Sequence, residues 1–366
     1  MGQQTDWLSR RTTYGLLTVA ALLSGCSMLS RAPAPAPTEP PVARVIQEEP
    51  PAITARVAAA RADLTRMVNL QDQLYRIAAP LLINNADLCR NHARNLLGFT
   101  AKNRYSYSGE FIDAAQAVLN YGDQLEVASV LAGSGAARAG LRKGDKLLAA
   151  EGKPLPAGQS AETQAAAILA PLVANSQSLN LTVARDGRNQ NLNLPVTRAC
   201  AFRIDIGNAD NINAYSDDQR VMITRGMVNF AQSDEAIAYV LATELAHNVL
   251  GHAATTRSAY TLGSIMDNLV AIHPDTSVLI GTAGVKPMPQ ELDAAADYLA
   301  LYMVARAGYN MDRAHAFWQR LATQYPPTVL NGYTAHHPAT AYRLNVIDKT
   351  IAEIKAKQAS RRPLLP

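Results

Sequence analysis

The residues best suited to chemistry lie in the stretch Thr243-Glu244-Leu245-Ala246-His247. Side chains at i and i+4 of a helix stand one above the other. Two histidines at that spacing bind zinc side by side, and a glutamate beside the first activates the metal-held water. Here a threonine stands at the first position, so His247 is the only standard ligand in its standard place. A neutral hydroxyl is hardly ever a zinc ligand, which makes Thr243 a degenerate metal position. Glu244 is a carboxylate within an apolar helix and is costly there unless partnered. It reads either as the general base or as a structural acid bonded to Arg343 or His337. His252 follows His247 by five residues, about 140° around a helix, and is expected to point away. His336 or His337 could reach the site through the fold, whereas His92, His273 and His315 have no motif around them and read as structural.

Several elements must position these groups. Ser233-Asp234-Glu235 supplies an N-cap and first-turn acids, and Ile237, Val240, Leu241 and Leu245 continue a buried stripe, which predicts a helix carrying Glu244 and His247. Between about Leu97 and Val196 short β-like runs alternate with glycine. From Ile53 to about Ile83 apolar residues recur at spacings of three, four and seven, which predicts one long amphipathic helix packed on the domains after it, with membrane contact as the alternative. The stretch 31–51 holds seven prolines in 21 residues and reads as an extended tether, up to about 65 Å long at about 3.1 Å per residue.

Two resemblances emerge from these residues. The run from Gly133 to Leu155, with Gly140-Leu141 ending a small helix, Gly144-Asp145 in a turn and Glu151-Gly152 closing a hairpin, resembles bacterial PDZ domains. Such domains add an extended peptide to a sheet edge and hold its carboxylate in a backbone loop. Leu97-Gly98-Phe99 is the candidate loop, a plain strand start being the alternative. The C-terminal half, about Asp205 to Ile354, resembles the HtpX and CAAX-prenyl-protease family of zinc metallopeptidases, family M forty-eight. The resemblance rests on Asn213-Ala214-Tyr215, Val221 to Met227, Leu245 to His252, Ala296-Asp297-Tyr298 to Tyr309, and His337-Pro338 with Arg343. It implies that Asn213 lies at a substrate-binding edge, as Gly98 and Phe99 do in the peptide loop. It also implies that Asp293 stands where the family has a glutamate as third zinc ligand, one methylene shorter. By the same resemblance Asp297 belongs to the catalytic set, and His337 and Arg343 line the cleft and stabilise the oxyanion.

The N-terminus sets the compartment. Arg10-Arg11, a short apolar run and Leu23-Ser24-Gly25-Cys26 read as a lipoprotein signal with Cys26 as the lipidated residue. Ser27 after it implies, by resemblance to such lipoproteins, anchoring at the outer membrane, facing the periplasm. Cys89 and Cys200 remain and are expected to pair in that oxidising space, two separate buried thiols being the alternative. With 34 Lys and Arg against 30 Asp and Glu, and no basic run beyond Arg361-Arg362, nucleic-acid binding is excluded.

The expected architecture is α+β: a signal at 1–25, the tether at 26–52, a helical segment at 53–96, a β-rich PDZ-like domain at 97–198, a mainly helical, zincin-like peptidase domain with a small sheet at 199–356, and a tail at 357–366. The expected function is a lipid-anchored periplasmic metalloendopeptidase-like protein acting on envelope or misfolded polypeptides, with zinc at a degenerate site. The alternative is an inactive pseudopeptidase that binds polypeptides or C-terminal peptides through its PDZ domain and cleft. A lipid-tethered scaffold is a third possibility, which gives Glu244, His337 and Arg343 no task.

Overall fold

A computed structural model describes residues 55–252, 287–328 and 331–366. Cys26, the tether and His273 lie outside the described residues. The fold is α+β, built on separate hydrophobic cores. A long helix α1 (Ala55–Ile83) leads in. Leu74, Ile77, Ala78 and Leu81 on its second half are fully buried in the larger core. Its first half covers a small cluster in which Ala60 and Leu64 meet Ala114 and Tyr121. Among the described residues no helix is long and apolar enough to cross a membrane.

After α1 the chain forms β1 (Ala93–Leu96), which pairs antiparallel with β8 (Thr197–Cys200) in a two-stranded ribbon. Cys89 and Cys200 form a disulfide at the base of this ribbon, with Cα atoms 5.5 Å apart. Ala93, Ala199 and Cys200 pack into the larger core, so the ribbon belongs to the body.

Between the ribbon strands lies a six-stranded sheet in the order β2-β3-β4-β6-β7, with β5 on β4. Its strands are β2 (Phe99–Lys102), β3 (Glu126–Val130), β4 (Lys146–Ala150), β5 (Lys153–Pro154), β6 (Ser178–Arg185) and β7 (Arg188–Pro195). Leu125, Val127, Leu147, Leu179, Leu181 and Val183 alternate into its core, which helices α3 (Gly135–Arg138) and α4 (Ala161–Asn175) help to close. Gly140, Gly144 and Gly152 all have positive φ, the backbone state that suits glycine. Strand β2 is at the edge of this sheet. The remaining helix of this part, α2 (Glu110–Leu119), carries Ala114 and Ala115 into the small cluster with α1.

The body continues with β9 (Arg203–Gly207), β10 (Ala214–Ser216) and β11 (Arg220–Thr224) in the order β10-β11-β9, where β9 runs parallel to β11 and β10 antiparallel. Helix α5 (Arg225–Ala231) is capped by Thr224, whose Oγ1 accepts from the Met227 amide at 3.2 Å. Helix α6 (Asp234–Leu250) follows, capped at its start by Ser233 and at its end by Gly251 at φ +73°. Three further helices complete the body: α7 (Gln290–Arg306), which packs on α6, then α8 (Ala314–Gln324) and the short α9 (Gly332–His336). The last helix, α10 (Ala341–Ala359), lies against α7.

Candidate metal centre and peptide groove

Helix α6 carries Thr243, Glu244 and His247, all buried. Asn248 on the same helix fixes its placement against the small sheet: its Oδ1 accepts from the Asp218 amide at 2.7 Å and its Nδ2 donates to the Arg220 carbonyl at 2.9 Å. Helix α7 brings Asp293 and Asp297 opposite, and the α9–α10 corner brings His337 and Arg343.

These groups form one buried network. His337 Nδ1 donates to Asp293 Oδ1 at 2.6 Å, and His247 Nε2 lies 3.4 Å from the same oxygen. His337 Nε2 is 4.0 Å from Glu244 Oε1. Burial would raise the Asp293 carboxyl, but His337 and Arg343 beside it outweigh burial and hold it well below the usual carboxylate range. Burial lowers the His337 imidazole to about 3, Asp293 opposing. A neutral imidazole against an ionised carboxylate requires the proton on Nδ1, which leaves the Nε2 lone pair free. Burial also raises Glu244, with His247 opposing, and Ser216 of β10 lies beside it.

His247, Asp293 and His337 offer ligand atoms within 4.8 Å of one another. Among the described residues, Glu244 Oε1, His247 Nε2, Asp293 Oδ2 and the Tyr333 hydroxyl are buried without a hydrogen-bond partner, and Glu244 and His247 are each only 1% exposed. Leaving such atoms unpaired costs about 1–3 kcal/mol each. Two imidazoles and a carboxylate are a donor set zinc accepts, and Nδ1 of each ring already has a partner, as ligand histidines have. The residues present therefore fit zinc. His337 would supply the second imidazole that position 243 lacks.

Two expectations change. Arg343 lines no cleft: at 1% exposure its Nε and Nη2 bind Asp297 at 2.5 and 3.0 Å, its Nη1 donates to the His337 carbonyl at 3.0 Å, and its guanidinium lies over the Trp318 ring at 5.2 Å. The cause is α10 packing on α7, which lays the long side chain against the buried carboxylates. Arg343 and Asp297 thus hold the centre in place, and Thr243 Oγ1 donates to Asp297 Oδ1 at 3.4 Å. His252 does not point away: α6 ends at Leu250, Gly251 turns the chain back, and the two Nδ1 atoms of His247 and His252 come within 3.0 Å. Gly251 was the signal, since a glycine in that position stops the angular count. Tyr333, whose ring lies tilted against His337 with centroids 5.0 Å apart, had no signal in the sequence.

Other histidines sit elsewhere. His92 packs on Phe202 and His315 meets Asp348 at 2.9 Å, while His336 lies against His337. Asn213 precedes the edge strand β10, where its Oδ1 accepts from the Ala214 amide at 3.0 Å.

Gly98 (φ +78°) and Phe99 open β2 beside a groove of about 870 Å³ between β2 and α4. The Gly98 carbonyl accepts from the Leu131 amide at 2.8 Å, and a Cβ at Gly98 would stand 2.4 Å from Ser134 Cβ, so only glycine fits. The free edge of β2 and the apolar α4 face offer an added strand a place to pair.

Comparison with known proteins agrees with both parts. Residues 175–351 match Peptidase family M48, and residues 126–185 match a PDZ domain. The two matches overlap at 175–185, where the structure assigns β6 to the six-stranded sheet. Among similar proteins, the mitochondrial metalloendopeptidase OMA1 of Schizosaccharomyces pombe is 23% identical over 145 residues, covering 38% of this chain and 43% of that protein. The mitochondrial metalloendopeptidase OMA1 of Bos taurus is 25% identical over 195 residues, covering 48% of this chain and 37% of that protein. The chain thus spans less than half the length of these relatives. Among solved structures, the HtrA3 PDZ domain bound to a phage-derived ligand (FGRWV) is 18% identical, covering 29% of this chain and 88% of that one, with a TM-score of 0.22. The HtrA-type protease AlgW with decapeptide is 25% identical, covering 29% and 30%, with a TM-score of 0.22.

Proposed function

We propose, from the premise that this chain carries a peptidase family M48 domain beside a PDZ domain, that it is a lipid-anchored periplasmic metalloendopeptidase-like protein acting on envelope or misfolded polypeptides. The observation that carries the reading is the buried His247–Asp293–His337 cluster with its unpartnered His247 Nε2, Asp293 Oδ2 and Glu244 Oε1. His247, His337 and Asp293 would hold zinc, which when bound polarises the scissile carbonyl and lowers the pKa of water. Asp297 and Arg343 fix Asp293 and His337 in place, Arg343 through the His337 carbonyl and its Nη1 at 3.8 Å from Asp293 Oδ2. Glu244, whose proton affinity burial raises, would take the proton as a carboxylate and then return it. The free edge of β10 beside α6 gives an extended substrate a strand to pair with.

The leader sequence up to Cys26 supports the anchor, and replacing Cys26 by Ser should move the protein from the membrane to the soluble fraction. Cleavage of an unfolded polypeptide such as reduced casein, dependent on zinc and lost in Glu244→Gln, tests the activity. The binder reading rests on Thr243 at the first ligand position and on the Arg343 charge already facing Asp293. Stoichiometric zinc without cleavage would establish that reading in its place.

A further inference from the structure

The groove beside β2 is not closed by the PDZ module alone. Phe99, Leu169 and Val173 line one side, and Tyr75 of α1, Arg198 of β8 and Phe202 line the other. The second set belongs to the body: Tyr75 and Phe202 pack in its core, and the β1–β8 ribbon carries Arg198. The cores of the two parts are separate, yet their groove is shared.

Its charges are uneven. Arg94, Arg198 and Arg203 line it against Glu162 alone. Arg203 pairs with Asp205 at 2.9 Å, Arg94 is turned to backbone carbonyls, and Glu162 accepts from Ser106. Arg198 is exposed and has no ion-pair partner among the described residues. It stands opposite Asn95, two residues before Leu97, and so marks the end of the groove where the loop would hold a peptide carboxylate.

We propose that this composite groove takes an extended polypeptide C-terminus with an apolar last residue and an acidic residue directly before it, the acid meeting Arg198. The inference rests on the PDZ reading of β2 and its loop. A strand added to β2 alternates its side chains between two faces. If the last one enters the apolar side of the module, at Phe99 and Leu169, the penultimate one faces away from the module, toward the body's wall. There Arg198 is the unpaired charge, and Tyr75 and Phe202 supply apolar surface for the peptide's stem.

The test uses the full chain and three fluorescein-labelled octapeptides, measured by anisotropy. One ends in Ser-Ala-Asp-Val with a free carboxylate, the second is its C-terminal amide, and the third has Lys in place of Asp. The Asp peptide should bind about fivefold tighter than the Lys peptide, and Arg198→Glu should reverse that order, because a partly desolvated charge pair is worth about that much. Arg198 is exposed and unpaired, so its replacement leaves the fold intact, which circular dichroism checks. An unchanged Asp-to-Lys ratio in Arg198→Glu, with the amide still failing to bind, would overturn the composite groove and leave the PDZ reading standing. Equal binding of the amide, or no binding of any peptide by the wild type, would overturn both.

Discussion

Replacing Arg343 by Met isolates what the buried ion pair does for the centre. The substitution keeps most of the side-chain volume over Trp318 and removes a charge that binds Asp297 through two nitrogens and lies 3.8 Å from Asp293. At an effective dielectric near 20, the Asp293 contact alone amounts to about 4 kcal/mol of gross attraction. Desolvation of the guanidinium offsets part of this, so breaking the pair should cost about 3–5 kcal/mol, the range for a buried charge left without its partner. Urea unfolding at pH 7 measures it. Burial raises Asp297 above its unfolded value even with Arg343 opposing, and removing Arg343 raises it further. A group raised in the folded state adds stability below its unfolded pKa and loses it as pH rises through the folded one. The gap between Arg343→Met and wild type should therefore narrow as pH falls from 7 toward 4. Adding Asp297→Asn should recover at least half of the loss at pH 7, because it removes the orphaned charge. A loss under about 1 kcal/mol, or a gap that widens on acidification, would refute this account of Arg343.

Three further outcomes are expected. Cys89→Ala with Cys200→Ala opens a loop of 111 residues and should cost about 4.8 kcal/mol by the chain-entropy relation, read as a lower denaturant midpoint with a somewhat steeper slope, since the freed unfolded chain exposes more surface. Burial raises Glu126, Lys146 opposing, so its carboxyl costs stability at neutral pH, and Glu126→Gln should raise the melting temperature at pH 7 but not at pH 4. Thr243→His, with Asp293→Glu, should tighten zinc binding at least about tenfold in a chelator competition, because it adds an imidazole whose second nitrogen can bond Asp297. No gain would mean that position 243 does not face the metal.

Much of the fold was legible locally. The cap at Ser233 and the stripe after it determine α6, and the turn glycines of the PDZ part need positive φ wherever they stand. The features that were not legible depend on distant packing. Nothing near His337 says that it meets Asp293, 44 residues earlier in the chain, because the corner between α9 and α10 places it. Arg343 reads as a cleft residue until α10 is packed on α7 and the buried carboxylates claim it. The angular count placed His252 wrongly because it carried the helix past Gly251. The body's wall of the peptide groove had no sequence signal, since Tyr75, Arg198 and Phe202 come together only in the folded chain.

The centre itself is tested most directly by zinc stoichiometry. Mass spectrometry of the purified protein after zinc soaking and desalting should give one zinc per chain. His247→Ala and His337→Ala should each lose it, while Glu244→Gln keeps it. A wild type without zinc, or a His337→Ala variant that holds zinc as tightly as the wild type, would contradict the assignment of His247, Asp293 and His337 as the metal site.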